Sequence, residues 1–245
     1  MRETGPPSLV WCLGMYASGS TWLYNAARAV AAVLYPSRRT SGHYAEAMKG
    51  LKKLPPGLNV VKTHDLGPAA AGFLEARSDR ILVSLRDPRD AVTSMMQHMG
   101  LSFAQALRHA EISATFAARY AAHPRATLFI YETGFTEAEE NFDRLAAALG
   151  GMLTAAQRRE LFAATRRHKI EEKISRLAEL PTAWRNPATG DLLDRDTQWH
   201  RHHAGRSGET GRWRWLLPPQ DALQVEQRLA DYMRTFGYLG EETQQ

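Results

Sequence analysis

Four short apolar runs, separated by longer helix-compatible segments, restrict this chain to one class of fold. Leu9 to Leu13, Asn59 to Val61, Arg80 to Leu85 and Thr127 to Tyr131 are short and rich in β-branched or aromatic residues, as strands covered on both faces are. Between them, Ser20 to Leu34, Pro68 to Arg77, Pro88 to Gly100, Phe103 to Ala122 and Glu137 to Gly150 suit helices. Alternation of this kind predicts an α/β fold, a P-loop-like three-layer arrangement with a central parallel sheet flanked by helices. Ligands of such sheets gather at the carboxyl ends of the strands, so chemistry is expected there. At 245 residues the chain is expected to form a single domain over 1–245. Thr154 to Leu180 reads as charged helix, Pro181 to Arg212 as a long covering loop without period, and Pro218 opens a closing helix to about 236.

Composition excludes several classes. Hydrophobic residues at 44% and charged residues at 23% are those of a folded globular chain. A lone Cys12 in an apolar run reads as a buried hydrophobe. Trp22 to Leu34 is interrupted by Asn25 and Arg28 and is too short for a membrane span, and Met1 to Ser8 lacks the pattern of a secretion signal, so a cytoplasmic location is expected. The net charge of +5 suits an anionic ligand, but the arginines are scattered without a dense run, and no nucleic-acid partner is expected.

The first strand runs into Gly14-Met15-Tyr16-Ala17-Ser18-Gly19-Ser20-Thr21, two glycines five apart and a hydroxyl pair opening a helix. This is the frame of a phosphate-binding loop, in which backbone N–H groups and the positive end of the helix face an anion. An ordinary serine-capped turn is the competing reading. Nucleoside triphosphatases carry lysine after the second glycine to span the β- and γ-phosphates; here that position is Ser20, which points away from ATP.

The second strand ends in Lys62-Thr63-His64, a cation and an imidazole two apart and so on one side of an extended chain. Together they suit proton removal from an attacking hydroxyl beside charge neutralisation, and a structural histidine is the alternative. The third strand ends in Arg86, with Ser94 about two helical turns on, a clamp for a second phosphate; Arg89 reads better as a surface ion pair with Asp87 or Asp90. Asp194, Asp196, His200, His202 and His203 form a cluster capable of holding a divalent cation, although exposed histidines of a basic loop give the same pattern, and no metal is expected. Trp184 and Trp199 suit a lid over an acceptor or anchors of the loop.

In order and spacing these segments resemble the sulfotransferases that use 3′-phosphoadenosine 5′-phosphosulfate, especially the cytosolic type. The resemblance spans about Leu9 to Trp213 in five short blocks. It implies that Ser18, Gly19, Ser20 and Thr21 hold the 5′-phosphate, that Trp22 stacks on adenine and Tyr131 of Phe129-Ile130-Tyr131-Glu132 contacts it, and that Arg86 and Ser94 bind the 3′-phosphate. It implies that His64 is the catalytic base and Lys62 its aid, and that Arg206 and Gly208 of Arg206-Ser207-Gly208 close over the 3′-phosphate. The implied reaction moves a sulfuryl group to a hydroxyl or amine of a small-molecule or glycan acceptor, leaves adenosine 3′,5′-bisphosphate (PAP), and needs no metal. Two departures stand out: Ser207 replaces a lysine, and Ala17 replaces the basic residue before Ser-Gly that reaches the leaving oxygen. Ala17 keeps open a catalytically weak nucleotide-binding member, alongside the rival reading of a P-loop nucleotide kinase. The acceptor walls are expected from 36–56, 94–103 and 181–203.

Overall fold

The computed structural model describes residues 7–187, 190–204 and 209–239. Strands β1 (Leu9–Gly14), β2 (Thr40–Tyr44), β3 (Leu58–Thr63), β4 (Arg80–Leu85) and β5 (Ala126–Ile130) form one parallel sheet in the order β2-β3-β1-β4-β5. Strands β6 (Ala183–Arg185) and β7 (Leu192–Asp194) form a separate antiparallel pair. The helices are α1 (Ser20–Leu34), α2 (Pro68–Arg77), α3 (Pro88–Met99), α4 (Phe103–Ala121), α5 (Asn141–Ala148), α6 (Ala155–Thr165), α7 (Arg167–Ser175), α8 (Trp213–Leu216), α9 (Pro219–Arg228) and α10 (Ala230–Thr235). Among the described residues no helix is long and apolar enough to cross a membrane.

Side-chain alternation along the central strand divides the core in two. Trp11 and Leu13 of β1 face a layer that includes α2, α3, α4, α9 and α10, while Val10 and Cys12 face α1, α5 and α6. Trp11 is fully buried, edge-on to Phe116 and Tyr120, and its indole N–H donates to Thr63 Oγ1 at 2.9 Å. That bond ties β1 to β3 in register, so their carboxyl ends finish level. Cys12 is buried as expected, and burial pushes its thiol far above the ordinary range, which leaves it a hydrophobe.

The chain leaves β1 through α1 toward β2 and β3, then returns across the sheet through α2 to β4. The crevice at the carboxyl end of β1 is therefore the topological switch point. Gly14 beside Ser84 sets its floor: a Cβ on Gly14 would lie 1.9 Å from Ser84 Oγ and 2.8 Å from the Ser84 carbonyl oxygen.

Several expectations need correction. β2 escaped notice because Thr-Ser-Gly-His-Tyr carries no apolar run; it is a half-buried edge strand held by pairing with β3. The 181–212 stretch is not an unstructured loop, since β6 and β7 pair within it and a 3₁₀ turn follows at Arg201–Ala204. The closing helix breaks at Leu229 (φ −119°) into α9 and α10. Arg89 does pair with Asp87, but in the interior: its guanidinium also meets Glu226 at 2.6 Å and lies 3.9 Å from the Trp213 ring, so the pair ties the C-terminal helices to the sheet edge.

Gly14→Ala is expected to destabilise the protein by about 1–3 kcal/mol through overpacking. Adding Ser84→Ala should recover only part of that loss, because the carbonyl contact at 2.8 Å remains; urea unfolding of the single and double variants measures both.

Candidate active site

The loop after β1 is built from the inside by one hydroxyl. Ser18 is fully buried; its Oγ donates to the Met15 carbonyl at 2.7 Å and lies 2.7 Å from Ser84 Oγ, which knots the loop to β4. The side chain is thus spent on the scaffold and does not border the cavity beyond. Ala17 (φ 58°) and Gly19 (φ 76°) take left-handed conformations on either side of it, the backbone form that turns successive N–H groups toward one point. Gly19 has a second reason to lack a side chain, since a Cβ there would sit 3.0 Å from the Phe135 ring. α1 then starts with no side-chain cap and no acidic residue in its first turn, so its N–H donors and its positive end stay available to an anion.

Gly19, Ser20, Thr21 and Trp22 border a cavity of about 770 Å³, as do Lys62, His64, Arg86, Ser94 and Tyr131. Of the residues singled out from the sequence, Arg206 and Gly208 lie outside the described residues. Trp22 is buried between the Phe135 and Phe142 edges, and Tyr131 lies under the Arg86 guanidinium, 4.1 Å from ring centre to carbon.

β3 delivers the reactive pair. His64 is buried, stacked on Tyr16 at 4.1 Å, and its Nδ1 lies 2.9 Å from the Gly14 carbonyl oxygen. A carbonyl only accepts, so Nδ1 carries the proton and the lone pair belongs to Nε2. Burial, and then the positive charge of Lys62, hold the imidazole well below its usual pKa, so it is neutral at pH 7. Lys62 is 3% exposed, with Nζ 5.3 Å from the Tyr44 ring centre, and burial pushes its pKa down to about 7. Tyr16 is itself pushed up to about 12, by burial first and then by Asp65 and Glu46.

At the other end, Arg86 leaves β4 and donates to the carbonyls of Ala17 at 2.8 Å and Glu209 at 3.3 Å, while its buried Nε has no partner among the described residues. It forms no ion pair with Asp87 or Asp90 in the way an exposed arginine would. The turn that carries it is braced by residues that no sequence motif marks. Tyr232 exchanges hydrogen bonds with the Arg86 backbone, and Glu132 accepts from the Asp87 N–H at 2.9 Å and from Tyr238 at 3.1 Å. Asp90 accepts the N–H groups of Gly211 and Trp213 and so draws the covering segment onto α3.

The roof comes from 181–204. Asp196 pairs with Arg28 at 2.9 Å, Asn25 donates to the Thr197 carbonyl at 2.7 Å, and Asp194 accepts from the Thr197 N–H at 3.2 Å, so these acids serve the fold of the lid. His200 Nδ1 faces Asp191, and its ring stands edge-on to His203. Asp194, Asp196, His200 and His203 are therefore distributed over separate pairings, the His202 side chain lies outside the described ones, and no group of three or more His, Cys, Asp or Glu among the described residues is arranged to hold a metal ion. Trp184 and Trp199 both border the cavity, as do Tyr44 and Glu46 from the first expected wall and His98 from the second. α7 adds Ile170 and Glu171, a wall the sequence did not announce.

No protein-family model and no curated protein matches the chain. Solved structures do. Mouse sulfotransferase SULT7A1 complexed with PAP superposes with a TM-score of 0.63 at 13% identity, over 94% of this chain and 86% of that one. Retinol dehydratase in complex with androsterone and the inactive cofactor PAP gives 0.62 at 16% identity, over 93% and 81%. The same enzyme with retinol and PAP gives 0.59 at 16%, over 94% and 82%. The chain has the fold of these sulfotransferases.

Proposed function

We propose that the chain transfers a sulfuryl group from 3′-phosphoadenosine 5′-phosphosulfate to a hydroxyl or amine of a small-molecule or glycan acceptor and releases PAP. One observation carries this reading. His64, with its tautomer set by the Gly14 carbonyl, and the buried Lys62 border the same cavity as the open N-terminus of α1 and the partnerless Nε of Arg86. A base, a cation beside it and two anion-binding positions in one space of about 770 Å³ suit a bisphosphate nucleotide with a small acceptor. The fold likeness to proteins solved with PAP supports the same choice. Ser20 in the place of a triphosphatase lysine weighs against the kinase alternative.

On this reading His64 Nε2 accepts the acceptor proton as the acceptor oxygen bonds to sulfur. The bond between sulfur and the 5′-phosphate oxygen breaks, and its electron pair leaves with the phosphate. Catalysis is positioning and charge neutralisation, as in phosphoryl transfer. Lys62 supplies the charge, Gly19 to Thr21 hold the 5′-phosphate, Trp22 and Tyr131 flank adenine, and Arg86 and Ser94 hold the 3′-phosphate. Ala17 carries no charge for the leaving oxygen, so Lys62 serves both the sulfuryl group and the leaving group.

His64→Ala is expected to lower turnover by roughly 10²–10⁴ while PAP affinity stays the same. Release of PAP from the donor across a panel of phenols, sugars and amines measures the first and calorimetric titration the second; undiminished turnover would remove His64 from the base role. In a thermal-shift comparison PAP at 100 times its dissociation constant should stabilise the protein by about 2.7 kcal/mol over the unliganded form, and ADP or ATP at the same concentration by less; a preference for ATP would favour the kinase.

Lys62→Met should bind PAP more weakly yet be more stable at pH 7, on the order of a few kcal/mol. The sign follows from the depressed folded pKa of about 7 against 10.5 unfolded. Between those values the unfolded chain binds more protons, so wild-type stability rises with pH, and the advantage of the variant should shrink toward pH 10. Denaturant unfolding of both proteins at several pH values checks this.

A further inference from the structure

Asp90, Ser94 and His98 recur at intervals of four along α3 and so share one stripe of the helix, and all three border the cavity. Asp90 holds the backbone of Gly211 and Trp213, which brings the intervening Arg212 to the same cavity wall. Arg86 enters from the strand end with a buried Nε that no described residue satisfies. His98 is half-buried and makes no hydrogen bond to a described residue. An orphaned donor, a hydroxyl, a guanidinium and an imidazole thus meet at one end of the space, in a form that suits an oxyanion with several acceptor oxygens.

We propose that His98, together with Arg212, completes the clamp of Arg86 and Ser94 on the second phosphate of the nucleotide, and that the imidazole takes up a proton as the phosphate dianion arrives. The inference rests on the nucleotide reading above and adds to it a ligand and a pH dependence. Electrostatics agree with the geometry. Burial first, then the charges of Arg212 and Arg86, hold the His98 imidazole below its ordinary pKa, so the ring is neutral at pH 7 before binding. A dianion offsets both guanidinium charges and accepts the N–H, which raises that pKa. Binding therefore draws in a proton, and affinity falls as pH rises through the pKa of the complex. Other charged groups near this end are Asp90, occupied by backbone N–H groups, and Glu209, whose carboxylate lies 3.9 Å from Arg212. The 3₁₀ turn packed on α3 adds His203, which stands against Trp199 and His200.

Calorimetric titration of the full chain with PAP and with adenosine 5′-phosphate, near pH 7 in two buffers of different ionisation enthalpy, tests the proposal. Wild type should prefer PAP and take up more protons with it than with the monophosphate. His98→Gln should lower PAP affinity roughly tenfold or more, leave monophosphate affinity unchanged and remove most of the excess uptake. His98→Lys should keep the preference for PAP but lose its pH dependence, a split that a merely structural histidine would not produce. If His98→Gln matches wild type in PAP affinity and proton uptake while wild type prefers PAP, the His98 assignment is overturned and the nucleotide reading stands. If wild type fails to distinguish the two nucleotides, the second-phosphate site and the nucleotide reading fall together.

Discussion

The close approach of β1 to β4 at Gly14 and Ser84 is the constraint on which the rest of this sheet edge depends. Because Gly14 has no side chain, Ser84 Oγ reaches Ser18, and Ser18 in turn holds the Met15 carbonyl, so a single chain of hydroxyl contacts shapes the loop from beneath. The same Gly14 offers its carbonyl to His64. One residue at the switch point therefore sets both the curvature of the loop and the tautomer of His64. Parallel register does the remainder: with Cys12 opposite Lys62 and Leu82, the loop, the Lys62–His64 segment and Arg86 emerge at one level.

Charge in the molecule is treated in two opposite ways. Arg89 is neutralised by Asp87 and Glu226, capped by the Tyr238 carbonyl and covered by Trp213, so its burial serves structure. Lys62, similarly buried, has an aromatic ring and a thiol for neighbours and forms no ion pair with a described carboxylate. Its charge is disfavoured by burial, and on the proposed reaction it is offset when an anion enters. Strain of that kind, concentrated in one cavity, separates functional from structural ionisable groups, since both are buried and both are polar.

How much of this could be read from the sequence follows from the range of the forces involved. β1, β3 and β4 lie inside the sheet and are buried almost throughout, and β5, half-buried at the edge, still carries Leu128-Phe129-Ile130, so each leaves an apolar run, while the motifs at their ends were legible from spacing together with the family resemblance. β2 is an edge strand paired only to β3, and Gly42 within it leaves room for the Tyr24 hydroxyl and the Arg28 guanidinium, which no local pattern shows. Asp90, Glu132 and Tyr232 are equally silent in sequence: each acts on a partner dozens of residues away, so the braces of the site are less legible than its reactive groups. Ser18 shows the converse, a residue marked by its motif whose hydroxyl serves the scaffold while its neighbours border the cavity.

Ala17 joins these threads. Its left-handed backbone costs an L-residue roughly 1–2 kcal/mol, and that conformation turns its carbonyl toward Arg86 Nη1 at 2.8 Å. The tip of the loop thereby contributes backbone geometry and a fixed guanidinium but no charge of its own. On the proposed reaction the developing charge on the leaving oxygen then falls to Lys62, whose place is fixed by strand register and whose ionisation is balanced near neutrality. Geometry in this site is over-determined, while protonation is not. On the same proposal an anionic nucleotide would supply the missing counter-charge and favour the ammonium as it binds. With no permanent cation at the loop tip, the proposed reaction makes the donor part of the site's electrostatics, because a buried lysine with a pKa of about 7 is only partly charged at neutral pH until an anion sits beside it.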